Sequence, residues 1–326
     1  MRNKKVLVTG GAGFIGSNLV KRLLEEGNSV IVLDNFMSGY RSNLDPFPSV
    51  RIIEDDVRDK KAVEVAIQGV EVVFHLAASV GNKRSIDLPI TDAEINVIGT
   101  LQVLEAARKE GVRKIVTSSS AGIFGELKTI PIKEDHPIEP DSPYGCTKLC
   151  EEKLCLSYAK LYAIEAVCLR YFNVYGPNQR FDAYGNVIPI FVFRMLRNES
   201  LLIFGDGEQT RDFVHVDDVV QANIKAANAK GVSGAFNIAS GTRVTINQLV
   251  EMIRKNNHTI KIEHGPERPG DVRHSLADIG AARKALGFEP QVALGDGLRE
   301  YISWVKNELR GLDYKGDRID QNTQKL

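Results

Sequence analysis

Short, nearly continuous hydrophobic runs alternate with longer amphipathic stretches through the first half of the chain. A buried parallel strand is apolar on both faces, whereas a helix that covers a sheet is apolar on one face only. The runs that we expect to form strands are Lys5–Thr9, Ser29–Leu33, Arg51–Glu54, Val72–His75, Lys114–Ser118 and Ala163–Arg170. The stretches that we expect to form helices are Ser17–Glu26, Asp59–Ala66, Ile95–Glu110 and Pro143–Leu161. The pattern predicts an α/β fold, a doubly wound parallel sheet with helices on both faces.

The regular alternation stops after Tyr171. Loops rich in Gly, Pro, Asn and Asp then lie among predicted helices at 188–197, 216–229, 246–255 and 295–308. We expect residues 1–175 to form the main domain, to which a strand at 235–238 returns. Residues 176–310 are expected to form mainly a smaller α/β substrate-binding lobe. The polar residues 311–326 have little apolar surface to bury, which predicts a frayed tail.

Charge and hydropathy exclude several classes of partner. The 326 residues contain 42 Lys and Arg against 42 Asp and Glu, so no net field draws the protein to nucleic acid or to an anionic membrane. No hydrophobic run approaches the roughly 20 residues that a membrane-spanning helix needs. The N-terminus is basic and then hydrophobic, as in a signal peptide, but the hydrophobic run is short and glycines follow it. We therefore predict no nucleic-acid partner and no membrane partner.

The four cysteines are Cys146, Cys150, Cys155 and Cys168. Three of them fall within one predicted helix, whereas a disulfide framework would distribute them along the chain. No CxxC pair or neighbouring histidine suggests a metal site, so we predict no metal. Free thiols are typical of a cytoplasmic protein.

A glycine-rich segment, GGAGFIG, lies between the first predicted strand and the first predicted helix. Without side chains, Gly10, Gly13 and Gly16 allow a tight turn and a close approach of the backbone to a pyrophosphate. The helix that opens at Phe14 and Ile15 would supply amide donors at its N-terminus. The strand–turn–helix context is typical of a Rossmann fold that binds a dinucleotide.

The second predicted strand is followed by Asp34, about 20 residues beyond the glycines. A carboxylate at this place can bind both ribose hydroxyls of NAD, and it would repel the 2′-phosphate of NADP. Arg41 is the alternative, a partner for that phosphate, although Asp34 lies nearer the expected position. We therefore predict NAD as the cofactor.

The segment YGCTK places Tyr144 and Lys148 four residues apart, on one face of a predicted helix. A run of three serines, Ser118, Ser119 and Ser120, follows a predicted buried strand, where parallel sheets present their functional residues. An isolated YxxxK pattern is common by chance. In a chain where a dinucleotide motif and a serine run precede it, however, the YxxxK pattern predicts that Tyr144 and Lys148 are catalytic.

The residue types suit the oxidation of an alcohol, which must lose a proton as its carbon loses hydride. Free tyrosine has a pKa of about 10, too high for a base at neutral pH. A neighbouring ammonium and a positively charged nicotinamide ring both favour the phenolate, and a pKa lower by three corresponds to roughly 4 kcal/mol. We predict Tyr144 as the base, with Lys148 beside it and Ser120 hydrogen-bonded to the substrate hydroxyl.

These motifs resemble the UDP-sugar 4-epimerase branch of the extended short-chain dehydrogenase/reductase family. The segments that carry the resemblance, over about residues 5–308, are GGAGFIG, HLAAS, SSSAGIFG, YGCTK, LRYFNVYGP, RDFVHVDD and RPGDVRHS. The resemblance implies an NAD-dependent isomerase that inverts carbon 4 of a UDP-hexose. It also implies a homodimer that pairs through the helices predicted at 95–110 and 143–161.

The resemblance also implies further site residues. Those expected to contact NAD, with Tyr171 near the nicotinamide, are Asn35, Asp56, Val57, Leu76, Ala77, Ala78, Asn96, Ser118, Tyr144, Lys148 and Tyr171. Those expected to contact the UDP-sugar are Ser119, Ser120, Tyr144, Asn173, Asn186, Val187, Arg211, Arg268, Asp271 and Ser275. Arginine suits the diphosphate because its guanidinium can bind two phosphate oxygens at once. His75 and His215 are expected to pack in the interior, and Phe124 replaces a tyrosine that the family often has.

Rival reactions remain open at this point. Related 4,6-dehydratases need an acid after the serine strand, where this chain has Ala121 and Gly122, so dehydration is disfavoured. A UDP-glucuronate 4-epimerase or a UDP-uronate decarboxylase is an alternative. A non-enzymatic NAD-binding sensor would usually lack the Tyr144 and Lys148 pair.

The last motif, RPGDVRHS, bears on the choice of sugar. By the resemblance, Ser275 occupies the position that faces the substituent on carbon 2 of the sugar. A small residue admits an N-acetyl group there, whereas a bulky aromatic residue leaves room only for a hydroxyl. We expect UDP-N-acetylglucosamine and UDP-N-acetylgalactosamine to be interconverted, with UDP-glucose and UDP-galactose also accepted. The alternative is that Ser275 only packs a loop.

Overall fold

The predicted hydrophobic runs form one parallel sheet in the computed structural model, which describes residues 1–181, 186–267 and 272–315. The strands in chain order are β1 (Lys5–Thr9), β2 (Ser29–Asp34), β3 (Arg51–Glu54), β4 (Val72–His75), β5 (Lys114–Ser120), β6 (Glu165–Tyr171), β7 (Asn173–Tyr175), β8 (Leu201–Phe204), β9 (Thr210–Arg211), β10 (Phe213–His215), β11 (Gly234–Ile238), β12 (Val244–Thr245) and β13 (Ile262–Gly265). Within the described residues the sheet has seven strands in the order β11-β6-β5-β4-β1-β2-β3. The order reverses between β1 and β4, which confirms the doubly wound fold and places a crevice there.

The helices cover both faces of this sheet. In chain order they are α1 (Phe14–Glu25), α2 (Lys60–Ala66), α3 (Asn82–Asp87), α4 (Pro89–Ala93), α5 (Thr100–Glu110), α6 (Pro143–Leu161), α7 (Val187–Leu196), α8 (Val216–Asn228), α9 (Ile246–Arg254), α10 (Gly280–Leu286) and α11 (Leu294–Lys315). The side chains of successive residues in β1 point to opposite faces of the sheet. Val6 and Val8 join the core formed with α1 and α8, whereas Leu7 joins the core formed with α2, α5 and α6.

The helix predicted at 95–110 has a longer and less regular form. α4 leads into a π-helical turn, Glu94–Gly99, which runs directly into α5. A Cβ atom at Gly99 would lie 2.8 Å from Cγ2 of Val57, so the glycine allows this turn to approach the end of β3. A repeat of 3.6 residues does not reveal a wide turn, because the extra residue only rotates the apolar face.

The second half of the chain contains short strands that the sequence pattern did not predict. β7 pairs with β10, β9 with β12, and β8 with β13, each over two to four residues. The returning strand is found at β11, which runs parallel to β6. A third core, which includes Phe191, Leu249 and Tyr301, lies among α7, α9 and α11. The division at residues 175 and 310 stays a prediction.

α11 differs from the prediction at its end, since it continues to Lys315, five residues into the segment expected to be a tail. Its buried residues Leu298, Ile302 and Val305 join the third core, which explains why the helix forms. Among the described helices, none combines the length and the hydropathy needed to span a membrane.

Candidate active site

The glycine-rich segment forms a cradle at the carboxyl end of β1. Gly10 has a φ of +70°, and a Cβ atom on it would lie 2.7 Å from the backbone nitrogen of Ala77. A Cβ atom on Gly16 would lie 2.1 Å from the carbonyl oxygen of Gly10. Gly13 precedes α1 without a side-chain cap, so the first amides of the helix keep their hydrogen-bonding capacity. A phosphate group fits such a cradle and such amides.

The carboxylate of Asp34 is fixed at the carboxyl end of β2. Its two oxygens accept hydrogen bonds from the backbone N–H groups of Ala12 and Phe36, both at 2.8 Å. Burial raises the pKa of Asp34, although these two hydrogen bonds oppose the rise. Arg41 is engaged elsewhere, because its guanidinium pairs with Glu54 and lies over the ring of Phe36. The acid therefore stands at the expected ribose position, and the arginine is held by another carboxylate.

A second polar group lies beyond β3. Asn35 donates a hydrogen bond of 2.7 Å to Asp56, and Arg58 donates to both oxygens of Asp56 at 2.9 Å. The hydrogen bonds from Arg58 hold the pKa of Asp56 below its usual value. Val57 is buried beside Gly99. The structure thus brings Asn35, Asp56 and Val57 to the edge where an adenine ring is expected.

The segment after β4 lines the crevice on the other side of β1. The backbone nitrogen of Leu76 donates to the carbonyl oxygen of Thr9 at 3.1 Å, and that of Ala77 donates to the Thr9 hydroxyl at 3.3 Å. These bonds hold Leu76 and Ala77 against Gly10, and Ala78 follows them in the same segment. The predicted cofactor groove is therefore formed by backbone as much as by side chains.

Asn96 fastens this segment to α6. Its amide exchanges two hydrogen bonds with the backbone of Ser79, at 2.8 and 3.1 Å, and donates a third to the hydroxyl of Thr147 at 3.0 Å. Asp92 accepts from Thr147 at 2.6 Å and from Asn96 at 3.2 Å. The amide of Asn96, which lies in the π-helical turn, is thus bonded to protein groups on both elements. Its place in the cofactor groove stays a prediction.

Tyr144 lies at the start of α6, beside the carboxyl end of β5. Pro143 occupies the first turn, and Ser142 caps the helix by accepting from the N–H of Gly145 at 3.1 Å. The Tyr144 ring is partly accessible, as a base that must reach a substrate requires. Its surroundings are mostly protein, however, and burial raises the pKa of Tyr144, although Lys148 and a hydrogen bond with Ser120 lower it. The protein alone therefore favours the phenol.

Ser120 is the last residue of β5, and its side chain lies close to Tyr144. Its hydroxyl accepts a hydrogen bond of 3.0 Å from the N–H of Gly122. A Cβ atom on Gly122 would lie 3.3 Å from this hydroxyl and 3.7 Å from the Tyr144 ring. The two predicted catalytic side chains are thus brought together across a turn in which a larger residue would be crowded.

Lys148 is buried with an exposed side-chain fraction of 1%, and its ammonium has two partners. It donates to the hydroxyl of Ser118 at 3.3 Å and to a carboxylate oxygen of Glu151 at 2.5 Å. The other oxygen of Glu151 accepts from the Thr117 hydroxyl at 2.5 Å. The sequence interpretation missed Glu151, because an acid on an amphipathic helix usually faces solvent. Its spacing of three from Lys148 and seven from Tyr144 places it on the same helix face.

Ser119 faces a different partner from its two neighbours. Its hydroxyl donates to Glu152 at 2.8 Å, and Arg170 binds the same carboxylate through two nitrogens at 2.8 and 3.0 Å. Because the Ser119 hydroxyl donates its hydrogen to Glu152, it could contact the sugar only as an acceptor. Its role in substrate binding stays a prediction.

Three buried aromatic rings, those of His75, Tyr171 and Phe124, pack beneath the residues of the site. His75 contacts the hydroxyls of Thr9 at 2.8 Å and Thr100 at 3.0 Å, and burial together with Lys148 lowers its pKa to about 3, so it is neutral. The Tyr171 hydroxyl accepts from Asn223 at 2.8 Å. Phe124 is fully buried below the guanidinium of Arg170. A tyrosine in place of Phe124 would need a buried partner for its hydroxyl.

The predicted sugar-binding residues lie on the short strands of the second half. The Arg211 guanidinium donates to the carbonyl oxygens of Thr210 and Val272, at 2.9 and 2.5 Å. Ser275 has an exposed fraction of 8%, and its backbone nitrogen donates to the same Thr210 oxygen at 3.2 Å. β9 therefore brings Arg211 and Ser275 together. The amide of Asn173 donates to the carbonyl oxygen of Asp212 at 3.0 Å.

Four further predicted sugar contacts have different outcomes. Asn186 precedes α7, and Val187 is its first residue, so both lie at the start of that helix. Arg268 and Asp271 lie outside the described residues. These four positions stay predictions.

One group of potential metal ligands occurs among the described residues, at His215, Asp217 and Glu300. Nδ1 of His215 accepts from the N–H of Asp217 at 3.3 Å, which assigns the ring proton to Nε2. Nε2 lies 3.7 Å from the carboxylate of Glu300. Nε2 has no hydrogen-bond partner among the described residues, so this group is the one place where a metal ligand set could form, and the expectation of no metal stays a prediction.

The chain is similar to well-defined relatives. The sequence model of the NAD dependent epimerase/dehydratase family matches residues 6–239. The UDP-glucose 4-epimerase of Mycolicibacterium smegmatis is 39% identical over 310 residues, which cover 93% of this chain and 99% of that protein. More distant relatives include a UDP-glucuronate 4-epimerase of Thermodesulfobacterium geofontis, 32% identical over 93% of this chain and 96% of that protein.

Two solved structures have the same overall form. The UDP-glucose 4-epimerase of Thermotoga maritima, solved with UDP-glucose, superposes with a TM-score of 0.89 at 41% identity, covering 94% of this chain and 99% of that one. The UDP-N-acetylglucosamine 4-epimerase of Methanobrevibacter ruminantium, in complex with UDP-N-acetylmuramic acid, gives a TM-score of 0.91 at 37% identity. That alignment covers 94% of this chain and all of that one.

Replacing Asp34 tests the assignment of the cofactor. Asp34→Asn should weaken binding of NAD at least roughly ten-fold, because a hydrogen bond to a charged group contributes about 1.5–3 kcal/mol. Titration calorimetry on protein freed of nucleotide measures the change, with the exposed Asp45→Asn as a control that should bind normally. Purified protein that carries NADP, or activity that collapses in a metal chelator, would contradict the assignment.

Proposed function

The chain belongs to the NAD dependent epimerase/dehydratase family, and we propose that it inverts carbon 4 of a UDP-hexose. Its cofactor is NAD. The observation that carries the proposal is the meeting of Tyr144, Lys148 and Ser120 at the end of β5, which only β4 separates from β1 and its glycine cradle. Relatives and structural neighbours named as UDP-sugar 4-epimerases support it.

The cradle and Asp34 fit the cofactor. Gly10, Gly13 and Gly16 would hold the pyrophosphate, and Asp34 would bind the ribose hydroxyls. Bound there, NAD would supply the acceptor for a hydride from carbon 4 of the sugar and the donor for its return. The residues around this place supply the rest: they orient the sugar, exclude water and move the proton.

Tyr144 takes the proton of the 4-hydroxyl and later returns it to the oxygen on the other face of the ring. Lys148 favours the phenolate of Tyr144, which burial would otherwise suppress. Ser120 donates a hydrogen bond to the same substrate oxygen and fixes its distance from Tyr144. The 4-keto sugar turns about its diphosphate link between the two proton transfers, so one centre is inverted and nothing is consumed.

Dehydration lacks its acid at this place. Ala121 and Gly122 follow Ser120 in a tight turn, and neither carries a carboxyl group. The place beside the Tyr144 ring, 3.7 Å from a Cβ atom on Gly122, is therefore without the acid that a dehydration would need. Epimerisation of a UDP-hexose is therefore favoured over dehydration, while UDP-glucuronate is the substrate to test beside it.

The choice of sugar depends on Ser275. This small, largely buried side chain lies beside Thr210, to which Arg211 also binds, so a sugar whose diphosphate meets Arg211 would place its ring near Ser275. A serine leaves room for an N-acetyl group and can donate to its carbonyl. We infer that UDP-N-acetylglucosamine and UDP-N-acetylgalactosamine are substrates together with UDP-glucose and UDP-galactose.

A homodimer is the expected assembly. Exposed apolar side chains cluster on the elements around α5 and at the end of α6. They are Ile86, Leu88, Ile90, Ile98, Leu161 and Tyr162. Such residues on neighbouring helices suit a helical interface with a second copy. We also expect the protein to act in the cytoplasm, because its four cysteines are free and Cys146 is exposed.

Removing the Tyr144 hydroxyl tests the base. Tyr144→Phe should lower kcat by roughly 100-fold or more, the contribution expected of acid–base catalysis, and leave the fold and UDP-sugar binding intact. Tyr158→Phe, on the same helix, should retain full turnover. If Tyr144→Phe kept more than about a tenth of the wild-type rate, another group would have to be the base.

Enlarging Ser275 tests the sugar. Ser275→Tyr should abolish turnover of the N-acetylated pair by steric clash and spare the plain pair, whereas Ser275→Ala should keep both. The measurement is the ratio of the two activities, by chromatography of the UDP-sugars. An unchanged ratio would remove Ser275 as the determinant, and activity on UDP-glucuronate alone would overturn the proposed substrate.

Charging the exposed helices tests the dimer. Light scattering should give wild-type protein twice the chain mass of 36.0 kDa. The double variant Ile98→Glu, Leu161→Glu should give the single mass, because burying two carboxylates from each subunit costs more than the contact gains. Val65→Glu, an exposed position on α2, should stay dimeric. A monomeric wild type would refute the assembly.

A further inference from the structure

Glu151 is a buried acid that the proposed mechanism does not use. Its side chain and that of Lys148 each have an exposed fraction of 1%, and their charged atoms are 2.5 Å apart. The second oxygen of Glu151 is held by Thr117 on β5 at 2.5 Å. The carboxylate therefore has a fixed place between the sheet and the ammonium.

A charge in this place acts on the catalytic tyrosine as well. Tyr144, Lys148 and Glu151 follow one another along one face of α6, at spacings of four and three residues. The catalytic tyrosine therefore lies near two buried side chains of opposite charge. The ammonium favours the Tyr144 phenolate, and the carboxylate opposes it. The pKa of Tyr144 is lowered by Lys148 and raised by Glu151, and the pKa of Lys148 is raised by Glu151.

We propose that Glu151 is a positioning residue that holds the Lys148 ammonium against Ser118 and sets the pH range in which Tyr144 acts as a base. The contacts supply the physical reason. Lys148 has a long, flexible side chain, and its other described partner, Ser118, is a neutral hydroxyl at 3.3 Å. Without Glu151 as its anionic hydrogen-bond partner, the ammonium would be drawn more strongly to the Tyr144 phenolate, which acts on it next after Glu151. This inference rests on the proposed function.

The neighbouring acid shows that burial alone does not create this role. Glu152 is fully buried on the same helix, but Arg170 neutralises it through two hydrogen bonds, and Ser119 donates a third. Its charge is thus balanced within the pair, away from Lys148. Glu152 is the matched control for Glu151.

Other titratable groups surround the pair and must be considered in any pH profile. His75 on β4 stays neutral because its pKa is about 3. The remaining groups that act on Tyr144, Lys148 or Glu151, or are acted on by them, are Asp92, Cys150, Glu152, Cys155, Cys168 and Tyr171. Burial raises the pKa of both Cys150 and Tyr171, so these two remain protonated near neutral pH. Burial also raises the pKa of Glu151 itself, and Glu151→Gln removes this group, so the titration that remains in the variant reports on Tyr144.

The test replaces Glu151 by Gln in the holoenzyme, which removes the charge and keeps an oxygen for Thr117. The acidic limb of the kcat/KM profile, where Tyr144 gains its proton, should move to lower pH by about one unit, because an anion that raised the pKa is gone. kcat should fall roughly ten-fold with KM little changed, since Lys148 loses its anchor. Glu151→Asp should keep the position of the limb and recover part of kcat.

A second readout does not depend on turnover. The near-ultraviolet phenolate absorbance of the holoenzyme, taken as the difference from its Tyr144→Phe counterpart, should titrate at lower pH with Glu151→Gln than with the wild-type residue. A wild type without epimerase activity would refute the proposed function, and this titration would still test Glu151. An active wild type with unshifted profile and titration would refute the inference alone.

The controls separate position from structure. Glu152→Gln should lower thermal stability and leave the acidic limb where it is. A shift equal to that of Glu151→Gln would mean that any buried charge on α6 has the effect. If Glu151→Gln does not fold, Glu151→Met must give the same shift. Failure of both to fold beside a folded Glu151→Asp would make the carboxylate structural and overturn the proposal.

Discussion

The attachment of α6 to β5 and β6 is the constraint on which the site depends. Two successive acids of the helix turn inward, Glu151 to Lys148 and Thr117, and Glu152 to Arg170 and Ser119. Taking such charges out of water is costly unless each is paired and hydrogen-bonded, and losing one partner of a buried pair costs about 3–5 kcal/mol. The contacts that cross to the sheet, from Thr117 and Ser119 on β5 and from Arg170 on β6, leave the helix little freedom to rotate or slide. The position of Tyr144, about two turns from these acids on the same helix, is fixed along with them.

On the cofactor side of the crevice, backbone groups supply most of the contacts that side chains supply at α6. Thr9, Gly10 and the segment after β4 hold one another through main-chain groups, and the carboxylate of Asp34 is fixed by two backbone N–H groups. A side chain could rotate away, whereas these groups move only with the sheet. Asn96 then joins this backbone to α6, because its one amide bonds to Ser79 and to Thr147. The cradle and the catalytic helix are therefore positioned as a unit.

The sequence predicted what repeats locally and missed what depends on distant partners. β1 to β6 and α6 were readable because a parallel sheet makes long apolar runs and because Tyr144 and Lys148 keep a helical spacing. β9 and β12 were not, since each has two residues and exists only through its partner. Glu151 and Glu152 look like a solvated face until Thr117 and Arg170 are known to face them. The π-helical turn at Glu94–Gly99 was hidden because a wide turn leaves the apolar pattern nearly intact.

The balance of charge along α6 gives the resting state of the site. Burial favours a neutral Tyr144, Lys148 favours its anion, and Glu151 offsets part of that effect. Since each unit of pKa corresponds to about 1.4 kcal/mol, a positive charge added near the ring moves the balance toward the phenolate. The oxidised cofactor carries such a charge, and the reduced form does not. A site built in this way holds a base when the sugar is to be oxidised and an acid when the sugar is to be reduced, which is the order that inversion of one carbon requires.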